Sequence, residues 1–302
     1  MDVIKIENLH KSFGDVKAVS NLSFKVKQGE LFAFLGVNGA GKSTTISIMC
    51  GTLEKDSGKV IINGVDADVD PDSIRPQFGV VFQSSALDKS LTVYENLVHR
   101  ASLYGIFGKE CEDRIKELCD LLDFKEFINR SVGKLSGGQR RKIDIARALI
   151  HKPKILILDE PTTGLDPQTR TVLWSVIEGL RKQENMTVFL TTHYMEEASN
   201  ADYVVIIDSG KIVAEGTPIE LKNKYTGDFI YLYNVTEEQV KTLSLPYEKL
   251  GSAFVIKVEN TSQATKLIVD NPQLFTDYEI SKGKMDSVFL AVTGKKLTGD
   301  EK

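Results

Sequence analysis

Apolar and polar side chains alternate over residues 3–9 and 22–26, which predicts two strands with one buried face each, the second closing at the turn Lys27-Gln28-Gly29-Glu30. The rhythm then changes. Short apolar runs at 31–35, 78–82, 155–158, 187–191 and 204–207 alternate with longer helical periodicities. That alternation predicts an α/β fold with a mostly parallel central sheet covered by helices, entered through an antiparallel β subdomain. Between about 91 and 129 no strand pattern occurs. Thr92 and Glu95 make a capping box for one helix, and the charged stretch 110–122 reads as another, so an inserted helical subdomain over about 91–150 is expected. Past Thr217-Pro218 and a helix through Lys224, strand patterns at 229–235, 253–258 and 278–281 surround a helix opened by Thr236 and Gln239. These predict a large domain over 1–226 and a small α+β domain over 227–302, closed by an amphipathic helix at 285–297.

The chain has 302 residues, 41% hydrophobic and 26% charged, enough to bury a sizeable core. Its 38 basic against 42 acidic residues leave a formal net charge of −4, which argues against a partner of nucleic acid. No apolar run approaches the roughly 18 residues of a membrane span, and Met1-Asp2-Val3-Ile4-Lys5 is not a secretory start, so a cytoplasmic chain is expected. Cys50, Cys111 and Cys119 form no C-x-x-C pair and suggest neither disulfides nor zinc.

The chemistry begins at Gly36-Val37-Asn38-Gly39-Ala40-Gly41-Lys42-Ser43, which fits G-x-x-x-x-G-K-[ST] and follows the strand at 31–35. Such glycines let backbone N–H groups turn inward around phosphates, and the helix opening through Ser43 and Thr44 adds its dipole. Lys42 would neutralise the β- and γ-phosphates and the Ser43 hydroxyl would ligate Mg²⁺. A second half is supplied by Ile155-Leu156-Ile157-Leu158-Asp159-Glu160, a buried strand delivering two carboxylates at its C-terminal end. Asp159 is the candidate Mg²⁺ ligand. Glu160 is the candidate base that activates or orients water. A nucleoside triphosphatase is implied.

Leu135-Ser136-Gly137-Gly138-Gln139 narrows this further. Ser136 and Gln139 form a capping box with two glycines at the mouth of a helix, a second anion-binding end in a chain that already has one. These residues, just ahead of the Asp159-Glu160 strand, resemble the signature sequence of ATP-binding cassette (ABC) proteins. The resemblance spans about residues 3–225. It implies ATP as the nucleotide, Gln83 as the Q-loop glutamine that meets Mg²⁺ and the attacking water, and Asp166 in the D-loop Thr163-Gly164-Leu165-Asp166. It further implies His193 as the switch that senses the γ-phosphate and Phe13 as the aromatic that stacks on adenine. Asp166-Pro167 also reads locally as an N-cap with proline at the first helical position.

The family resemblance implies a head-to-tail dimer, a homodimer or a pairing with a related chain, with each ATP held by one chain's Gly36 loop and the partner's Ser136 helix. Three kinds of cassette protein come into question: the ATPase subunit of a membrane transporter, a soluble cassette acting on nucleic acid or ribosomes, and a nucleotide-regulated interaction protein. A single cassette, acidic balance and retained Glu160 and His193 favour the transporter. Thr162-Thr163-Gly164-Leu165-Asp166-Pro167, Thr191-Thr192-His193-Tyr194-Met195-Glu196-Glu197-Ala198 and the stretch from Met285 to Gly294 look like the drug-resistance branch of bacterial exporters, although many members of that branch read Tyr-Ser-Gly-Gly-Met where this chain has Leu135 and Gln139. That branch implies an integral-membrane ABC-2 type permease as partner and a place on the inner face of the membrane through it.

Overall fold

A computed structural model describes residues 1–295. The chain forms two compact units, Met1–Tyr194 with Ala201–Ile212, and Met195–Asn200 with the residues from Val213 onward. In the first, β1 (Asp2–Phe13) and β2 (Val16–Lys27) make an antiparallel hairpin longer than the alternation predicts. Irregularities between Ile6 and Leu9 interrupt the pairing, and Asn8 there lies at φ 48°, which is why the period-two pattern breaks in mid-strand. β3 (Leu31–Leu35) is buried at every position and leads into α1 (Lys42–Met49). β4 (Ser57–Ile62) and β5 (Val65–Asp66) then extend the hairpin into a sheet of order β2-β1-β4-β5.

After the short α2 (Pro71–Ile74), β6 (Phe78–Val81) returns to the centre. The helical insertion follows as α3 (Val93–Ser102), α4 (Gly108–Leu122) and α5 (Gly137–Leu149). Both sequence-predicted capping boxes form: the Thr92 side chain accepts from the Glu95 N–H at 3.2 Å, and Ser136 does the same for Gln139 at 3.2 Å. β7 (Ile155–Asp159), α6 (Pro167–Glu184), β8 (Thr187–Thr192) and β9 (Tyr203–Asp208) complete the unit. The parallel strands run in the order β9-β3-β8-β7-β6, and β10 (Lys211–Gly216) is the segment through which the chain leaves the unit.

The two sheets of this unit are joined by an aromatic cluster. Phe24 of β2 lies 5.3 Å from both Phe32 and Phe34 of β3, and Phe32 lies 5.2 Å from Phe189 of β8. Each buried phenyl contributes about 2–3 kcal/mol. β3, β7 and β8 are parallel neighbours whose C-terminal ends share one edge, and the Gly36 loop, the Asp159-Glu160 pair and His193 follow from those ends.

The second unit holds α7 (Met195–Ser199), α8 (Pro218–Tyr225) and a four-stranded antiparallel sheet of β11 (Asp228–Leu232), β12 (Tyr247–Leu250), β13 (Ala253–Val258) and β14 (Tyr278–Lys282) in the order β12-β13-β11-β14. α9 (Glu237–Lys241) and α10 (Thr261–Asp270) send Val240 and Ala264 into its core with Ile230, Phe254 and Ile256. The closing helix α11 (Met285–Thr293) ends at Gly294, φ 68°, and packs on α8 and α7. It is shorter than the expected 285–297, of which residues 296 and 297 lie outside the described part. Among the described residues no helix is long and apolar enough to cross a membrane.

Candidate active site

β3 ends at Leu35 and the chain turns through Gly36 to Gly41 into α1. Gly41 occupies the N-cap at φ 107°, and a Cβ there would stand 2.4 Å from the Ala18 carbonyl oxygen, so both backbone angle and space demand glycine. No side chain caps α1. Lys42, the first residue of the helix, is only 5% exposed, and its ammonium donates to the carbonyls of Gly36 at 2.7 Å and Val37 at 3.2 Å. Burial pushes its pKa below the ordinary lysine range, while the neighbouring Glu160 carboxylate pulls the other way.

Glu160, one residue past β7, is the hub. It sits at φ 46°, in the left-handed region that glutamate rarely adopts, and its N–H bonds the carbonyl oxygen of Thr191 at 3.1 Å. Its carboxylate lies 3.5 Å from the Lys42 ammonium and 3.3 Å from His193 Nδ1, and it accepts from the Gln83 amide at 3.2 Å. Three residues far apart in sequence thus meet at the carboxylate of Glu160, a residue only 9% exposed. Asp159 is held separately: the Thr191 hydroxyl donates to it at 2.5 Å.

Lys42, Gln83, Asp159 and Glu160 border a cleft of about 520 Å³ lined also by Asn38, Gly39, Gly41, Ser43 and Thr44, while Gly36 and His193 stand outside its lining. Ala40 is buried behind the loop. Phe13 is half exposed at the end of β1 and does not line the cleft, but its register partner Val16 does, together with Lys17, Ala18 and Ser209. Those four escaped the sequence reading because nothing in a hairpin strand or a turn marks them; only the fold carries them to the loop. Thr191 was missed for a similar reason, being a hydroxyl in an apolar strand.

Ser136, Gly137, Gly138 and Gln139 lie apart from this cleft, at the N-terminus of α5. Ser136, Gly138 and Gln139 border a second cavity of about 220 Å³ that is walled by Val172 and Leu173 of α6. A Cβ on Gly138 would stand 2.6 Å from the Thr169 methyl and 2.9 Å from its hydroxyl. The Thr169 hydroxyl in turn donates to the Asp166 carboxylate at 2.6 Å, and the Thr169 N–H caps onto the same side chain at 3.0 Å. These bonds hold the Asp166 carboxyl below the usual carboxylate range. The Asp166 turn and the Ser136 turn therefore rest on one another through a single threonine.

Residues 19–163 match the family model described as ABC transporter. The chain is 34% identical to the linearmycin resistance ATP-binding protein of Bacillus subtilis, covering 91% of this chain and 85% of that one. It is 36% identical to the Nod factor export ATP-binding protein I of Rhizobium etli, covering 98% and 95%. Among solved structures, the dimeric ATP-binding cassette MJ0796 bound to ADP and Pi superimposes with a TM-score of 0.64 at 28% identity, over 71% of this chain and 98% of that one. With its phosphate loop, buried carboxylate hub and signature turn, the chain belongs to the ABC transporter family as an ATP-binding protein that hydrolyses ATP.

Proposed function

We propose that residues 1–226 are the ATP-binding cassette, that residues 227–302 are an accessory domain, and that the chain powers export through a separate membrane permease of the ABC-2 type. The observation that carries this reading is the convergence of Lys42, Gln83 and His193 on the Glu160 carboxylate. In it, backbone groups from Gly36 to Gly41 with Lys42, Ser43 and Thr44 hold the phosphates, and Phe13 stacks on adenine. Glu160 orients the attacking water and accepts its proton, Gln83 and His193 hold that water and the γ-phosphate in line, and the deep burial of Glu160 keeps bulk solvent away.

The donor set fits Mg²⁺. Ser43, Gln83 and Asp159 bring hydroxyl, amide and carboxylate oxygens to one cleft, few enough to leave positions for phosphate oxygens and water, as this ion requires. The ion would supply charge neutralisation for the phosphates.

The second anion-binding end, Ser136 to Gln139, acts in trans: two chains associate head to tail and each signature turn closes on the partner's ATP, with Asp166 beside it. The likeness to a dimeric cassette supports this. The resistance and export functions named for the two relatives support the exporter reading. Exposed Phe82, Leu103 and Phe107, the last two 74% and 64% accessible, leave apolar side chains on and beside the helical insertion, where a permease would dock and hold the chain at the inner face of the membrane. The deciding experiment is Glu160→Gln. ATP should still bind and drive association, measured by size-exclusion chromatography, while turnover falls by about a hundredfold or more; near-normal turnover would remove Glu160 from its role.

A further inference from the structure

β6 stops at Val81, and Gln83 stands in the loop that follows. That loop is fastened to α5 on both sides of Gln83. Arg141 of α5 donates from Nη1 to the Phe82 carbonyl at 2.7 Å, and the Ser85 hydroxyl donates to Asp144 Oδ1 at 3.0 Å. The backbone of Ala86 bonds the same Asp144 carboxylate. Arg141 and Asp144 are 7% and 6% exposed, three positions apart and so on one helical face. The far end of the loop is held too, by Asn96 of α3, which accepts from the Asp88 N–H at 2.8 Å and donates to its carbonyl at 3.0 Å. Both charged residues are buried by this loop and hydrogen-bonded to it, at the cost that burial pushes the Asp144 carboxyl above the usual range.

We propose that Arg141 and Asp144 are positioning residues for hydrolysis, a clasp through which α5 sets where Gln83 stands against Glu160. α5 is a continuous helix, and its first turn is the signature sequence. From Ser136 to Asp144 is about 12 Å of rigid helix at 1.5 Å per residue. Resting on the head-to-tail reading above, this makes α5 a rod whose N-terminus touches the partner's nucleotide while its middle holds the glutamine of its own chain's site. The two ATP sites are thereby joined through Ser85, Asp144, Arg141 and the Phe82 carbonyl.

The test is steady-state ATP hydrolysis by the purified full-length chain, with thermal melting to confirm folding. Ser85→Ala and Asp144→Ala should each lower kcat by between about tenfold and a hundredfold, the range for a catalytic group misplaced by about 1 Å, with KM for ATP within about twofold. Asp144→Asn, whose amide oxygen still accepts the Ser85 proton, should restore more than half of the turnover. The double variant should be no slower than either single one, and in a Gln83→Ala background Asp144→Ala should cost nothing more. Wild-type turnover in Ser85→Ala, multiplying losses, or an undiminished cost of Asp144→Ala without Gln83 would overturn the clasp. If Gln83→Ala itself is slow while Ser85→Ala is not, the clasp alone fails. Full turnover in Gln83→Ala sinks the role assigned to Gln83 and the clasp with it.

Discussion

α1 and α5 both begin in glycine-rich turns, and in the proposed reading both meet an anion, yet their first turns are built oppositely. α1 starts from a left-handed glycine with no side-chain cap, and its first residue is a buried lysine. α5 starts from a serine in extended backbone whose side chain and N–H are both engaged by Gln139. The first turn has no side chain engaging its donors, and its Gly41 is seated against the Ala18 carbonyl of the hairpin strand beside it. The second is complete in itself. A helix start that closes its own capping box would be stable in a protein that binds nothing; behind this one stand Thr169 and the Asp166 turn, on which its proposed binding role would rest. One start is an uncapped turn seated against a neighbouring strand, the other a closed cap backed by Thr169.

Gly41→Ala attacks the first kind of support and should have the largest effect. The strain of a side chain at φ 107° against a backbone oxygen, roughly 3 kcal/mol, corresponds to about a hundredfold weaker nucleotide binding. A fluorescent ATP analogue titrated onto the variant measures it, and unchanged affinity would show the cradle to be softer than its contacts indicate. Gly138→Ala tests the second kind. Nucleotide binding should stay within about twofold while hydrolysis falls about tenfold, because the added methyl pushes the signature turn off Thr169. Adding Thr169→Ser, which removes the closer clash, the methyl at 2.6 Å, while keeping the hydroxyl at 2.9 Å bonded to Asp166, should recover part of the loss. No recovery would mean that the glycine serves another contact. The smallest effect separates capping from anion binding. Ser136→Ala should lower stability by about 1 kcal/mol in urea unfolding, whereas Ser136→Asp should not, since aspartate caps as well as serine. Hydrolysis should nevertheless fall in Ser136→Asp, whose charge would face the partner's phosphates in the proposed head-to-tail dimer; full activity there would detach this turn from ATP.

The same contrast explains what was legible in the sequence. The phosphate loop, the Asp159-Glu160 strand end and the capping boxes at Thr92, Ser136 and Thr236 are short-range patterns whose causes lie within a few residues, and each can be read locally. β4, β5, β10 and β12 were not anticipated. β4 alternates imperfectly through Ser57-Gly58-Lys59 and exists because Ile62 and Val60 pair with Ile4 and Ile6 of β1. β12, Tyr-Glu-Lys-Leu, is an exposed edge that only β13 organises. In the site, Arg141 and Asp144 look like the solvated face of a charged helix until the loop after β6 covers them. The reach of Lys42, Gln83 and His193 to Glu160 is likewise a property of strand order, which no single segment encodes.

The closing helix has a consequence for how the protein can be cut and recombined. α7 begins immediately after Tyr194, two positions beyond His193, and it buries Met195 and Ala198 in the unit that contains α8 and α11. A shortened chain ending at residue 226 would keep α7 and α8 but strip away α11, the helix that packs on both. The last helix thus packs on two pieces of chain, α7 and α8, that precede residue 227 in sequence, so a cut at that point would separate them from their partner.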